Sequence, residues 1–187
     1  MNPKIHAQKL DDDKDWEFTA TTCETPTVEL NGYKDAVKKV TAKGKIVVPG
    51  KKEEGPKFED IMKAMAESVK VSLPKILIEQ EADRMLSQLL ADVQKLGLSL
   101  DQYLSSTGRT PENMREEYEK KAESDLKIEF ALQKISEEEK ITVEEKEIDE
   151  AIGKAKDDAE RKNLESNRYL LANILRQQKT LDFLKNL

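Results

Sequence analysis

Apolar residues recur at helical spacing in the middle of the chain. They fall three or four residues apart, at Ile78, Ala82, Met85, Leu89, Val93 and Leu96. This spacing gathers them into a stripe on one face of a helix. Pro74 can lie in the first turn of that helix, where its missing N–H has no partner to lose. Gly97 follows the stripe, and glycine tolerates the left-handed backbone that ends helices. The pattern therefore predicts a long amphipathic helix that ends next to Gly97.

Local signals predict shorter elements on both sides of this helix. Before it, one apolar face is expected on a helix that carries Phe58, Ile61, Met62, Met65 and Val69. The segment 71–73 is expected to be extended, because residues before a proline avoid the helical region. After the long helix, Ser99 and Gln102 form the capping-box pattern. A short helix is therefore predicted to begin there and to stop at Gly108.

A third helix is predicted from Pro111 to about Glu138. Thr110 is its expected cap, and Pro111 suits its first position. At 1.5 Å per residue such a helix is roughly 40 Å long. It carries two apolar rows, which are Met114, Tyr118, Ala122, Leu126 and Phe130 in one and Ile128, Leu132 and Ile135 in the other. Two rows imply contacts on two sides, or a groove.

Two more helices are predicted in the C-terminal quarter. Thr142 with Glu145 reads as a second capping box, which opens a helix that continues through Ile148, Ile152, Ala155 and Ala159. Its register breaks near residues 156–158. The last helix carries the stripe Leu170, Ile174, Leu181 and Leu184, flanked by Leu171, Leu175 and Phe183.

The N-terminal part of the chain alternates instead with the period of strands. Trp16, Phe18 and Ala20 alternate with polar residues, so strands are predicted at 4–10 and 16–22, joined by a polar turn at 11–15. A lone hairpin is marginal in water, so its aromatic residues are expected to lean on another surface. Residues 26–33 are expected to be extended, 34–41 helical, 45–49 extended and 50–56 a linker.

Composition narrows the class of protein. Of the 187 residues 37% are charged and only 5% aromatic, which suits long helices better than a compact globule. The net charge of -6 argues against nucleic acid as a direct partner, since phosphate binding needs clustered Lys and Arg. No apolar run approaches the roughly 18 residues of a membrane span, and no signal peptide pattern occurs. A cytoplasmic protein without a membrane partner is predicted.

Candidate catalytic and metal-binding residues are few. His6 is the single histidine and Cys23 the single cysteine, so neither a zinc site nor a disulfide framework is expected. The aspartates at 11–15 lack the glycine and distal glutamate of a calcium loop. Gly44-Lys45 and Gly50-Lys51 lack the spacing of a phosphate loop. We therefore predict no catalytic residue, no metal and no cofactor.

Several segments resemble trigger factor, the bacterial ribosome-associated chaperone. The resemblance is carried by Pro74 with Leu77-Ile78-Glu79-Gln80-Glu81, by Gly97-Leu98-Ser99-Leu100-Asp101-Gln102-Tyr103-Leu104, by Arg115-Glu116-Glu117-Tyr118 and by the end from Leu175 to Leu184. Residues 16–33 resemble the tail of the family's N-terminal domain. The resemblance implies a mainly α fold, an elongated helical-arm domain of the trigger factor C-terminal type with a small N-terminal β-hairpin element. It implies three parts: a β element at 1–33, a linker at 34–57 and a client-binding domain at 58–187.

The chain departs from the family pattern in two places. The ribosome-docking signature Gly-Phe-Arg-x-Gly-x-x-Pro does not occur. The family's prolyl isomerase domain, about a hundred residues, would have to fit within 41–57, which is far too short for a domain. The resemblance therefore implies a non-enzymatic client-holding body, either a truncated chain or a reduced family member. Ribosome contact is expected only if a docking segment lies upstream.

The function implied by the resemblance is ATP-independent holding of unfolded or nascent polypeptides, buried transiently between helical arms. The candidate client-binding residues are Met62, Met65, Met85, Leu89, Val93, Leu96, Tyr103, Leu104, Met114, Tyr118 and Phe130. Any one of them is more often ordinary helix–helix core. A second hypothesis is an adaptor that binds one dedicated partner or forms a homodimer through its β-hairpin. A prolyl isomerase is disfavoured by the missing domain.

Overall fold

A computed structural model describes residues 3–9, 15–44 and 57–187, and 69% of the described residues are helical. The helices are α1 Tyr33–Gly44, α2 Phe58–Ser68, α3 Lys75–Lys95, α4 Leu100–Thr107, α5 Pro111–Glu138, α6 Glu145–Gly153, α7 Asp158–Ser166 and α8 Arg168–Lys185. The strands are β1 Lys4–Lys9, β2 Glu17–Thr21, β3 Thr27–Glu29 and β4 Lys70–Ser72. The predicted mainly α class with an N-terminal hairpin is confirmed. None of the helices in these ranges is long and apolar enough to cross a membrane.

The chain divides into two compact units that interleave in sequence. Unit 1 comprises Met1–Thr27 and Ser72–Leu126, and unit 2 comprises Val28–Val71 and Lys127–Leu187. The division predicted from the sequence, at 33/34 and 57/58, stays a prediction. Of its linker, α1 occupies the first part, and residues 45–56, with the predicted extended segment 45–49, lie outside the described residues. The predicted turn at 11–15 also lies outside them, apart from Asp15.

Unit 1 begins with the predicted hairpin. Strands β1 and β2 pair antiparallel, with Ile5 opposite Ala20 and Ala7 opposite Phe18. A register irregularity between Ala7 and Lys9 shifts the pairing near the turn. The alternation of apolar and polar residues therefore predicted both strands correctly, because a two-stranded ribbon follows the same period of two.

The helices of unit 1 begin and end at the residues that the local signals indicated. Gln102 N donates to Ser99 Oγ at 3.2 Å, and Ser99 N donates to Gln102 Oε1 at 2.8 Å, which is the predicted capping box of α4. Gly97 and Gly108 adopt positive φ angles of 72° and 65° and end α3 and α4. Asn113 N donates to Thr110 Oγ1 at 3.2 Å, so Thr110 caps α5 as expected.

Small and medium apolar side chains are buried in the helices of unit 1. They include Ala82 and Val93 of α3, Leu104 of α4, and Met114 and Ala122 of α5. The Arg115 guanidinium also contacts the Asp83 carboxylate at 3.1 Å, which links α5 to α3. The predicted stripe of α3 is thus unevenly covered, since Ala82 and Val93 are buried whereas Leu96 is 76% exposed.

Unit 2 is built around one larger apolar core. Helices α1, α2, α8 and the C-terminal part of α5 contribute the fully buried side chains Val37, Met65, Ile135 and Leu184, among others. Strands β3 and β4 pair beside them as a two-stranded sheet. The second predicted row of α5, with Ile128, Leu132 and Ile135, faces this core.

A smaller core joins the last helices of unit 2. Ile148 and Ile152 of α6 pack with Leu171 of α8, and Leu164 of α7 packs against them. Two cations reinforce the contact between α6 and α8. Arg168 contacts carboxylates of α6, and Lys179 Nζ lies 2.6 Å from Glu147 Oε2.

Two predictions about α6 were wrong. The helix begins at Glu145 with Glu144 as its cap, and Glu144 N donates to Glu147 Oε2 at 2.9 Å, so Thr142 with Glu145 is not the capping box. The Thr142 carbonyl instead accepts a hydrogen bond from Lys179 Nζ at 2.9 Å, outside the helix. The helix also ends at Gly153 rather than continuing through Ala159.

The segment after α6 forms a separate helix because it has its own cap. Asp157 Oδ1 accepts a hydrogen bond from Glu160 N at 2.7 Å, and α7 begins at the next residue. Ala155 therefore lies between helices, and Ala159 belongs to α7. A second break at Asn167, with φ −118° and ψ 35°, separates α7 from α8.

Candidate functional site

The eleven candidate residues differ widely in exposure. Four of them, Met65, Val93, Leu104 and Met114, are buried. Six are half-buried: Met62, Met85, Leu89, Tyr103, Tyr118 and Phe130. Leu96 alone among the eleven is largely exposed. Met62 and Met65 belong to unit 2 and contribute to its larger core, and Phe130 also lies in unit 2. The other eight belong to unit 1. Client contact at these residues stays a prediction.

The hairpin of unit 1 presents one apolar face. Residues directly opposite each other point to the same side of a ribbon, so Ile5, Ala7, Phe18 and Ala20 share a face. Ile5 is 65% and Phe18 64% exposed. The other face is polar, and on it Gln8 Nε2 donates to Thr19 Oγ1 at 3.0 Å. We call the first side the hairpin apolar face.

A second apolar spot in unit 1 lies at the turn between α3 and α4. Leu96 and Leu98 flank Gly97, whose left-handed backbone reverses the chain there, and Leu98 is 40% exposed. Asp92 and Lys95 pair at 3.0 Å on the preceding turn of α3. The turn therefore holds two apolar side chains beside a charged pair.

Helix α8 of unit 2 carries three exposed apolar side chains, which we call the α8 patch: Tyr169, Leu170 and Ile174. Their exposed fractions are 82%, 58% and 51%. Leu171 and Leu175 form a second stripe on another face of the same helix, and this stripe packs in the smaller core. Because α8 has two neighbouring apolar stripes and α6 covers one, the other remains on the surface.

A groove lies next to the α8 patch, between α5 and α8 within unit 2. Its volume is about 220 Å³. The α5 wall is formed by Glu129, Leu132, Gln133 and Ser136, and the α8 wall by Tyr169, Asn173, Arg176, Gln177 and Thr180. Both sets recur at helical spacing, so each is one stripe of its helix. Ser136 and Thr180 are buried, whereas Asn173, Arg176 and Gln177 are exposed.

Charged residues fix α8 against α6. The Lys179 ammonium holds the pKa of the Glu147 carboxyl below its ordinary value, with help from the backbone N–H of Glu144. Arg168 Nη2 lies 2.6 Å from Glu145 Oε2 and 2.9 Å from Asp149 Oδ1. These two carboxylates raise the pKa of Arg168. These ion pairs therefore lie on the side of α8 that faces α6, beside the packed stripe Leu171–Leu175.

A second polar cluster closes one end of the larger core. The Tyr33 hydroxyl donates to Glu139 Oε1 at 3.0 Å, and Lys34 Nζ lies 2.7 Å from the same oxygen. Burial raises the pKa of Tyr33, and the Glu139 hydrogen bond adds to the effect. The Lys34 ammonium, followed by the Tyr33 hydroxyl, lowers the pKa of Glu139. The cluster ties α1 to the end of α5 and serves packing.

Phe58 is also exposed at 43%, but a cation covers it. Lys185 Nζ lies 5.6 Å from the centre of its ring, within the range of a cation–π contact. Across 3–9, 15–44 and 57–187, no three His, Cys, Asp or Glu side chains are grouped so as to hold a metal ion. His6 lies on the polar side of the hairpin, and Cys23 is half-buried.

Comparison with known proteins identifies the family. The family model described as "Bacterial trigger factor protein (TF) C-terminus" matches residues 51–187. The chain belongs to the trigger factor C-terminal family. Trigger factor of Shouchella clausii is 33% identical over 114 residues, and that of Natranaerobius thermophilus is 31% identical over 128 residues. These alignments cover 61% and 64% of this chain.

The chain spans only part of its trigger factor relatives. The same alignments cover 26% of the Shouchella clausii protein and 29% of the Natranaerobius thermophilus protein. A solved chain from work on the structures of trigger factor domains from Thermotoga maritima superposes with a TM-score of 0.53. It is 18% identical and covers 69% of this chain and 79% of the solved one, so it supports the fold alone. The resemblance inferred from the sequence is confirmed.

The candidate client-binding residues predicted from the sequence include neither the α8 patch nor Leu98. The signal was present in the sequence, because α8 carries more apolar positions than one packed stripe needs. Both Leu170–Ile174 and Leu171–Leu175 recur at a spacing of four. Only one such stripe can face α6, so an excess apolar stripe is the sequence mark of an exposed or differently partnered face.

Proposed function

We propose that this chain holds unfolded or nascent polypeptides through apolar side chains exposed on its elements, without ATP. Membership of a chaperone family supports the proposal, and the observation that carries it is the distribution of exposed apolar residues. In the described ranges these are Ile5, Trp16, Phe18, Leu96, Leu98, Tyr169, Leu170 and Ile174, with Phe58 partly covered by Lys185. Each element or turn that carries them exposes at most three of these side chains. A large single patch would favour one stable complex or aggregation.

The expected mechanism is transient burial of client apolar segments. Each spot offers a few side chains, so one contact is weak and releases quickly, whereas several contacts along one unfolded chain add to its affinity. No nucleotide, metal or catalytic group is required by this mechanism, and we propose no prolyl isomerase turnover for the chain.

The proposed partners are unfolded and nascent polypeptides in the cytoplasm. Ribosome contact is proposed only with a docking segment upstream of this chain. Direct binding to nucleic acid is not proposed, since the chain carries a net charge of -6. These points are proposals about a whole protein. The Shouchella clausii relative is about four times longer than the part of it that aligns with this chain.

The test is aggregation of a chemically unfolded, unrelated protein on dilution, followed by light scattering. We expect suppression near a stoichiometric ratio in the absence of nucleotide. An equal mass of a small folded protein without exposed apolar patches serves as the control. A folded, monomeric sample that leaves the scattering curve unchanged would refute the holding function. Turnover of a short proline peptide would refute its non-enzymatic nature.

The hairpin apolar face favours a second candidate function, self-association or binding to one dedicated partner. Ile5 and Phe18 are exposed on the same side of the hairpin, which has two strand edges. Sedimentation over a hundredfold range of concentration distinguishes the two candidates. A concentration-dependent dimer that Phe18→Ser abolishes would support self-association, and a monomer throughout would remove self-association.

A further inference from the structure

The groove between α5 and α8 differs chemically from the apolar spots. Its floor includes two buried hydroxyl groups that are already satisfied within their own helices. Ser136 Oγ donates to the Gln133 carbonyl at 2.7 Å, and Thr180 Oγ1 donates to the Arg176 carbonyl at 2.8 Å. The two hydroxyl groups of the floor therefore need no hydrogen bond from a ligand. Any ligand in the groove would be bound by the side chains of its walls.

The α8 wall has hydrogen-bonding groups to spare. With the residues that the structure describes, the side chains of Asn173, Arg176 and Gln177 make no hydrogen bond or ion pair, and neither does Glu129 on the opposite wall. Gln133 makes only a long bond to Glu137, at 3.4 Å. Each amide side chain offers two donor hydrogens and an acceptor oxygen. The walls thus present mixed donors and acceptors along two helices.

The charge and size of the groove exclude most classes of ligand. It contains one guanidinium and one carboxylate, whereas a phosphate-rich ligand needs several cations. Its volume of about 220 Å³ is below the roughly 300–1,000 Å³ of sites that enclose small molecules. A polypeptide main chain fits instead, because its alternating N–H and C=O groups complement amide side chains without net charge.

We propose that this groove binds the main chain of an extended polypeptide segment, with Asn173 and Gln177 as its principal hydrogen-bonding residues. The proposal rests on the holding function and locates one contact of it. Tyr169 belongs both to the groove wall and to the α8 patch. A bound segment thus places its backbone among amides while its apolar side chains contact Leu170 and Ile174. Main-chain contact is independent of client sequence, as a general chaperone requires.

The test compares two variants of the same helix. Asn173→Ala with Gln177→Ala removes both amides from the groove, whereas Gln178→Ala removes an exposed amide that does not line it. Alanine is the best helix former, so all variants should fold, which circular dichroism verifies. The probe is fluorescein-labelled, reduced and carboxymethylated lactalbumin, which stays unfolded, and its affinity is measured by fluorescence anisotropy.

We expect the double variant to bind this probe roughly tenfold more weakly, the effect of losing two hydrogen bonds of ordinary strength. Gln178→Ala should stay within twofold of the unmodified chain. Equal affinity of both variants would overturn the groove while the holding function stands. No binding of the probe to the unmodified chain would overturn both. A dimer that only the double variant dissociates would identify a second copy as the occupant and would also overturn the proposal.

Discussion

Replacing Leu170 and Ile174 with serine tests whether the α8 patch binds clients. Complete burial of one such side chain contributes roughly 1.5–3 kcal/mol. Leu170 is 58% and Ile174 51% exposed, so about half of this contribution remains available from each. Together they offer about 2 kcal/mol to a client that covers them fully and about 1 kcal/mol to one that covers half. The double variant should therefore bind an unfolded client about five- to thirtyfold more weakly.

The same substitution also weakens the fold, because the packed half of each side chain is lost. This loss is again about 2 kcal/mol in the free energy of unfolding. Leu171→Ala supplies the matched control. Leu171 is adjacent in sequence but only 9% exposed, and its truncation should cost roughly 2–5 kcal/mol without removing client surface. Urea unfolding measures both losses, and anisotropy with a labelled unfolded protein measures affinity at a temperature where all variants are folded.

The two variants should separate stability from binding. Leu171→Ala should lower the unfolding midpoint and leave client affinity within twofold. Leu170→Ser with Ile174→Ser should lower both. An equal loss of affinity in the two variants would mean that stability, and not contact, governs binding. Unchanged affinity in the serine variant would show that the patch does not bind clients, whatever its exposure.

Three further predictions concern stability. Ile135→Ala, in the larger core of unit 2, should lower the free energy of unfolding by about 2–5 kcal/mol in urea, because Ile135 is fully buried there. Gly108→Ala should destabilise by on the order of 1 kcal/mol by the same measurement, since its φ of 65° strains any residue with a Cβ. The pKa of Glu147 is lowered by Lys179 below its ordinary value of 4.5. Its contribution to stability is therefore complete above pH 4.5 and is lost as the pH falls through the lowered pKa, so Glu147→Gln should flatten the acid side of a urea-stability profile.

Local chemistry was sufficient to predict most helix boundaries. The capping box of α4 involves Ser99 and Gln102, three residues apart, and the stops at Gly97 and Gly108 depend on one residue's backbone preference. Such signals act within a single turn, so the sequence contains them completely. The start of α6 was misjudged because two overlapping pairs could form its cap. Lys179, 37 residues away, contacts both the Thr142 carbonyl and the Glu147 carboxylate, which no local pattern reveals.

The periodicity of apolar residues did not predict which residues of a stripe are exposed. Val93 and Leu96 belong to one predicted stripe, yet one is 3% and the other 76% exposed. The spacing predicts which residues share a face, but α3 ends at Lys95, so Leu96 lies in the turn that follows and is exposed. On α8, periodicity could not tell which of two stripes is buried. Leu171 packs in the smaller core and Leu170 is exposed, and only the position of α6 decides between them.

The larger core of unit 2 also sets an order of events during synthesis. It unites Tyr33 and Val37 near the beginning of the chain with Ile135 and Leu184 near its end. At about 5–20 residues per second, a ribosome that has made Tyr33 needs roughly 5–20 s more to reach its hydrogen-bond partner Glu139, 106 residues later. Until the end of α5 and α8 emerge, the core that α1 and α2 share lacks Ile135 and Leu184 and stays partly exposed. A protein proposed to shelter incomplete chains thus passes through the same exposed state itself.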